Sequence, residues 1–170
     1  VAGPGRARQL PHLLLAQGRF PEGFALHGAR RLWRPGSAVA LAPDLPWAEW
    51  SGQPLAGRSI VVWQEQGLGD ALQFVRFASL LKPLGAARVT LHCHPTLATL
   101  MRGVAGIDEV ITPAQGCGPH DHWVMLLDLP RLLGTTVDRI PAPLPYLHAD
   151  AARMARWAQR LPAGLKVGLV

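Results

Sequence analysis

Apolar residues in this chain recur with a period of two in some stretches and near 3.6 in others, and the change between them is sharpest from Ser59 to Phe77. Ser59-Ile60-Val61-Val62-Trp63 is a β-branched apolar run that stops at Gln64-Glu65-Gln66. Gly67 and Gly69 follow, and helical spacing begins behind Asp70. This predicts a strand, a glycine loop and a helix. The helix is expected over 71–84, with Leu72, Val75, Phe77, Leu80 and Leu81 on its surface and Gly85 as its stop. The alternation then repeats: strand 88–93, helix 95–101, strand 109–111, a Pro/Gly-rich loop 113–119, strand 121–127 and a helical turn 129–133. Prolines fill 141–145, Asp150 caps a helix ending near residue 161, and a fifth strand starts at 166. Strands separated by helices predict an α/β fold: a Rossmann-like parallel sheet with helices on both faces. The right-handed crossover places every strand-to-helix loop at one edge, where ligands bind such sheets. The expected site is therefore the loop from Glu65 to Gly69.

Upstream, Leu10, Leu13 and Leu14 sit at helical spacing, Gly18 interrupts, and Phe20-Pro21-Glu22-Gly23-Phe24 opens a second run. This predicts a pair of antiparallel helices over 9–34 that partly matches a single tetratricopeptide repeat. One such unit cannot bury both faces, so it must pack on the following domain or on further repeats. Residues 34–57 carry Pro35, Pro43, Pro46 and Pro54 with Gly36, Gly52 and Gly57, which predicts a tethering loop without regular structure. Trp47 and Trp50 within it are expected to anchor it to a surface.

At 170 residues and 49% hydrophobic content, the chain is long enough for one domain with a core and a small appendage. No apolar run reaches membrane-spanning length and no cleavable leader is evident, so a cytoplasmic protein without a transmembrane segment is expected. Val1 in place of Met, and a strand just starting at the other end, read as two cut ends. The net charge of +6 suits a polyanion, but the arginines are scattered apart from Arg6, Arg8, Arg30, Arg31 and Arg34, and no nucleic-acid reading module accompanies them. Nucleic acid is not an expected partner.

Two readings of Asp70 follow from its position. As a cap it would close the helix start, with Gln73 completing a capping-box exchange. As a rim carboxylate it would take the proton of an incoming hydroxyl. Gly67-Leu68-Gly69-Asp70 lacks the third glycine of a dinucleotide fingerprint, and an acid at the helix start disfavours a direct phosphate cradle. Arg76, two turns on, would hold a substrate carboxylate or phosphate if it lies on the rim. His92-Cys93-His94 and Cys117 to His122 contain metal-ligand types, but strand alternation sends Cys93 away from its two histidines and no ligand quartet is evident, so no metal is expected.

Glu65-Gln66-Gly67-Leu68-Gly69-Asp70 with Gln73-Phe74-Val75-Arg76-Phe77 resembles a bacterial family of tetratricopeptide-repeat proteins whose C-terminal module is glycosyltransferase-like, related to lipopolysaccharide heptosyltransferases and O-linked N-acetylglucosamine transferases. Residues 18–24 are similar to that family's final repeat, 50–57 to its linker, and 126–130 and 140–147 to later segments. The resemblance implies half of a GT-B architecture: a degenerate repeat over 1–34, a linker over 35–57, the Rossmann-like N-terminal domain over 58–164, and a strand from 165 to 170 leading into an absent C-terminal domain. It implies acceptor-side function in a nucleotide-sugar-dependent glycosyltransferase, incomplete without the donor-binding domain. Asp70 maps onto the proposed base, and Glu65, Gln66, Gly67, Leu68, Gly69, Gln73, Arg76 and Asp128 onto acceptor-side positions, Asp128 standing where the family often has serine. No cofactor is implied beyond the nucleotide-sugar donor. The implied partners are that donor, a glycan, lipid-glycan or protein acceptor, and a protein docked on the repeats. A non-catalytic repeat scaffold retaining the fold is the alternative, and a dinucleotide-dependent enzyme a third.

Overall fold

The computed structural model describes residues 4–32, 43–113, 116–141 and 143–164. The predicted strand from residue 166 and residues 33–42, which hold the first part of the predicted loop, lie outside these residues.

The centre of the molecule is β2 (Ser59–Trp63), whose Ile60, Val61 and Val62 are fully buried. A strand covered on both faces needs a continuous apolar run, and the sequence supplies one. Around it lie β1 (Ala48–Glu49), β3 (Arg88–His92), β4 (Glu109–Ile111) and β5 (His122–Met125) in the order β1-β5-β2-β3-β4, with every pairing parallel. The fold is thus α/β and Rossmann-like. The register puts Trp63, the last residue of β2, beside both His92 and Met125, so the carboxyl ends of three strands finish level. At the other end Asp121 fixes the register of β5, because its carboxylate accepts from the Ser59 amide at 2.8 Å and from the Ser59 hydroxyl at 2.7 Å.

Alternation divides the sheet into two unequal faces. Ile60, Val62, Val89, Leu91, Val110 and Val124 enter the large core, with α3 (Leu68–Phe74), the 3₁₀ turn over 75–80 that continues it, and α4 (Pro95–Met101) packed there. Val61, Trp123 and Met125 point the other way and form a small cluster with Leu45, Trp47, Trp63 and Cys117. On this side Leu45 and Trp47, from the segment ahead of β1, pack on the cluster, and the Arg31 guanidinium lies 5.9 Å from the centre of the Trp123 ring.

That segment also departs from the loop expected over 34–57. Ala48 and Glu49 pair in parallel with His122 and Trp123, giving β5 a neighbour on its outer side. An unsatisfied edge outweighs local proline content here. Trp50 is 2% exposed and its Nε1 donates to the Gln53 carbonyl at 2.7 Å, so this side chain is core.

Helix α3 begins three residues before the expected residue 71. Gly67 is its N-cap and Asp70 its third position, so the acid lies within the first turn rather than ahead of it. Before the sheet, α1 (Pro4–Ala16) and α2 (Phe20–His27) form a hairpin, followed by a 3₁₀ turn at 28–32. Gly23 permits their close approach, since a β-carbon there would meet Leu15 at 2.8 Å. The hairpin packs on the sheet domain, with Phe24 edge-on to Phe74 at 6.4 Å. After the short α5 (Leu129–Leu132) comes α6 (Ala151–Ala158), capped and exposed, where Asp150 accepts from the Arg153 amide at 2.9 Å. Among the described residues no helix is long and apolar enough to cross a membrane.

Candidate functional site

β3 and β5 flank β2 on opposite sides, and the segments that follow β2 and β5 meet at the carboxyl edge, at the crevice where open α/β sheets take their ligands. Two of the expected site residues sit in it: Glu65, two residues past β2, and Asp128, three past β5. Both are buried, at 3% and 1% exposure, and the 3₁₀ turn after the hairpin reaches between them.

Arg30, itself buried, is the plug. Its Nε donates to Glu65 Oε2 at 2.8 Å and a second nitrogen bonds Glu65 Oε1, a bidentate fork. Its third nitrogen donates to Asp128 Oδ1 at 2.8 Å and reaches the His27 carbonyl at 3.3 Å. Arg31 donates to Asp128 Oδ2 at 3.0 Å and also bonds Glu49. The Leu127 amide completes the cage by donating to Glu65 Oε1. Burial opposes the Arg30 charge, but the two carboxylates outweigh it and its pKa is raised. Glu65 and Asp128 therefore hold the hairpin to the sheet. Sequence reading missed Arg30 and Arg31 as their partners, although both arginines belong to the basic group noted at the end of the predicted helical pair.

Beside the plug runs the glycine loop. Gln66 adopts φ +59°, a left-handed conformation uncommon for a residue with a side chain, and this turns the chain into α3. Asp70 Oδ2 then accepts from the Gly67 amide at 3.0 Å. Gly67 suits this contact, since a β-carbon would lie 3.2 Å from that oxygen. Asp70 is half-buried, and among the described residues its Oδ1 accepts no hydrogen bond. Gly67, Leu68 and Gly69 are exposed, and a β-carbon on Gly69 would meet nothing. The cap and the rim carboxylate are thus one geometry: one oxygen holds the turn and the other remains available. Gln73 is exposed and is not the cap's partner, because Asp70 bonds back to Gly67.

Arg76 is not brought to this loop. It sits six residues beyond Asp70, about 9 Å along the helix, with its guanidinium over the Tyr146 ring at 4.2 Å. Tyr146 in turn donates to the Leu72 carbonyl at 3.0 Å, so the pair straps residues 143–148 to α3. Against the plug lies His27, buried, edge-on to His12 at 5.8 Å and with no partner for Nδ1 among the described residues. Desolvation, with the Arg30 charge adding to it, lowers its pKa to about 4.

On the other sheet face, Trp63 and His92 stack at 3.6 Å and 7° beside a cavity of about 500 Å³. Cys93 points into the large core, as alternation required. His94 caps α4 by accepting from the Thr96 amide at 3.2 Å. His120 bonds the Gly118 carbonyl at 2.7 Å and the Thr90 hydroxyl at 2.9 Å. Among the described residues no group of three or more His, Cys, Asp or Glu side chains could hold a metal ion.

The chain is similar to Protein FlbA of Caulobacter vibrioides, at 29% identity over 178 residues that take in 93% of this chain. It spans 30% of that relative's length. No protein-family model matches, and no solved structure matches.

Proposed function

We propose that this chain is the acceptor-side half of a nucleotide-sugar-dependent glycosyltransferase of GT-B architecture, with Asp70 as the base and a further domain of the whole protein binding the donor. The observation that carries this reading is a half-exposed carboxylate at the carboxyl edge of the central parallel strand, oriented through one oxygen. In the reaction Asp70 Oδ1 takes the proton of an acceptor hydroxyl, that oxygen forms a bond to the anomeric carbon, and the nucleoside diphosphate departs with the electron pair of the broken bond. Gln66 to Gly69, exposed and without bulky cover at Gly69, line the approach. A tetratricopeptide-like role for the hairpin, a protein docked on it, and a cytoplasmic location belong to the same reading.

In the whole protein, Asp70→Asn abolishes nucleotide release from a panel of nucleotide sugars in the presence of acceptor. The amide still accepts from the Gly67 amide, so the stability cost stays near the value of a cap, about 1 kcal/mol. Transfer retained in Asp70→Asn removes the base assignment. The filled crevice favours a second reading, a non-catalytic repeat scaffold, because Arg30 occupies the place where an open α/β sheet usually takes its ligand. Failure of the whole protein to bind any nucleotide sugar selects it.

A further inference from the structure

Arg30, from the turn after the hairpin, fills the space between the segments that follow β2 and β5, yet the same carboxyl edge has a second opening beside Trp63. Trp63 and His92 end adjacent parallel strands in register, and their rings stack in near-parallel contact. Trp47, from the extended segment, stands beside them and turns its ring edge-on to His120 at 5.2 Å and 61°. With Cys117 these side chains wall a cavity of about 500 Å³, inside the range of small-molecule sites, about 300–1,000 Å³. The remaining lining, Leu45, Pro46 and Pro113, is apolar.

We propose that this cavity binds a neutral pyranose ring, with Trp63 as the stacking shelf and Trp47 as the side wall. Three features select that chemistry. Among the described residues no Asp, Glu, Lys or Arg lines the cavity, so a phosphate or carboxylate would be desolvated there without a counter-charge in contact. Burial also lowers the His92 pKa and keeps its imidazole uncharged at neutral pH. Second, one face of the Trp63 ring is already taken by His92, which leaves a one-sided platform rather than a slot. A planar aromatic gains most between two parallel walls, whereas a pyranose needs one flat apolar surface beneath its C–H face. Third, indole N–H groups, imidazole and thiol are uncharged hydrogen-bonding groups suited to hydroxyls. The shelf stands at the edge from which the loop to Asp70 departs. It therefore deepens the acceptor-side reading and rests on it for the role of the bound sugar, though not for binding itself.

The test is a titration of the ¹⁵N-labelled 170-residue chain with methyl β-D-glucopyranoside, observing the indole N–H signals of Trp47 and Trp63. Saturable shifts at these two signals, with those of Trp50 and Trp157 unmoved, are expected. Trp47→Ala and Trp63→Leu each weaken binding about tenfold, the loss of one aromatic contact. Retained dispersion of the Trp50 and Trp123 signals shows that either variant still folds. No saturable shift overturns the proposal, as does an equal response to open-chain sorbitol, or tighter binding of adenosine at the same signals. The titration needs no donor. A whole protein that binds the glucoside but transfers no sugar overturns the catalytic reading alone, and one that transfers sugar without moving these signals overturns this assignment alone.

Discussion

Arg30 carries a permanent charge to a position with 8% of its surface left to solvent, where two carboxylates meet it. Such a cluster is fragile to the loss of one member, because the remaining charges stay buried without compensation. Arg30→Met should cost about 3–5 kcal/mol in urea unfolding. The triple variant Arg30→Met, Glu65→Leu, Asp128→Leu should recover most of that loss, since it removes the desolvated charges along with the bonds. A single variant within 1 kcal/mol of the parent, about the value of an exposed pair, would show that the cluster is solvated. The sequence marks Glu65 by its place after the central strand and Asp128 through the resemblance alone, and their partner lies 35 positions away from one and 98 from the other. No local pattern links residues so far apart. Arg30 has the same appearance in the sequence as an arginine on a solvated helix.

Elements were legible in the sequence wherever their signal was local. β3, α4 and β4 fall where the β-branched runs, Pro95 and the flanking glycines place them, and the Asp150 cap begins α6 as read. Two elements were not legible for the same reason. The two residues of β1 have no strand signal of their own and exist because β5 offers an edge. The start of α3 moved forward because glycine can cap through its backbone while an acid inside the first turn satisfies it, a pattern that reads equally as a loop ending at Asp70. Within this framework the turn after α4 is tight. Gly106 has φ +83°, and a β-carbon there would lie 2.8 Å from the Ser79 α-carbon. Gly106→Ala should thus cost more than backbone strain alone, about 2–3 kcal/mol, measured by thermal or urea unfolding. A neutral outcome would mean that the 3₁₀ turn over 75–80 gives way freely.

At the scale of the molecule, the contact between hairpin and sheet makes stability depend on acid. The unfolded imidazole of His27 titrates near 6.5 and the folded one near about 4. Between those values the unfolded chain binds the extra proton, so stability falls as pH drops through that window, by on the order of 3 kcal/mol from this group. His92 and His120, also lowered by burial, add slope of the same sign. His27→Leu should flatten the curve between pH 6.5 and 4 without abolishing it, and an unchanged slope would assign the acid sensitivity elsewhere. The outermost strands of the sheet set a different boundary. β1 offers two residues and β4 three, and each includes an exposed acid, Glu49 and Glu109. Among the described residues these are the sheet's margins, so a strand from another molecule finds little backbone to zip onto, and at β4 it also meets the charge of Glu109, whereas Glu49 is held by Arg31.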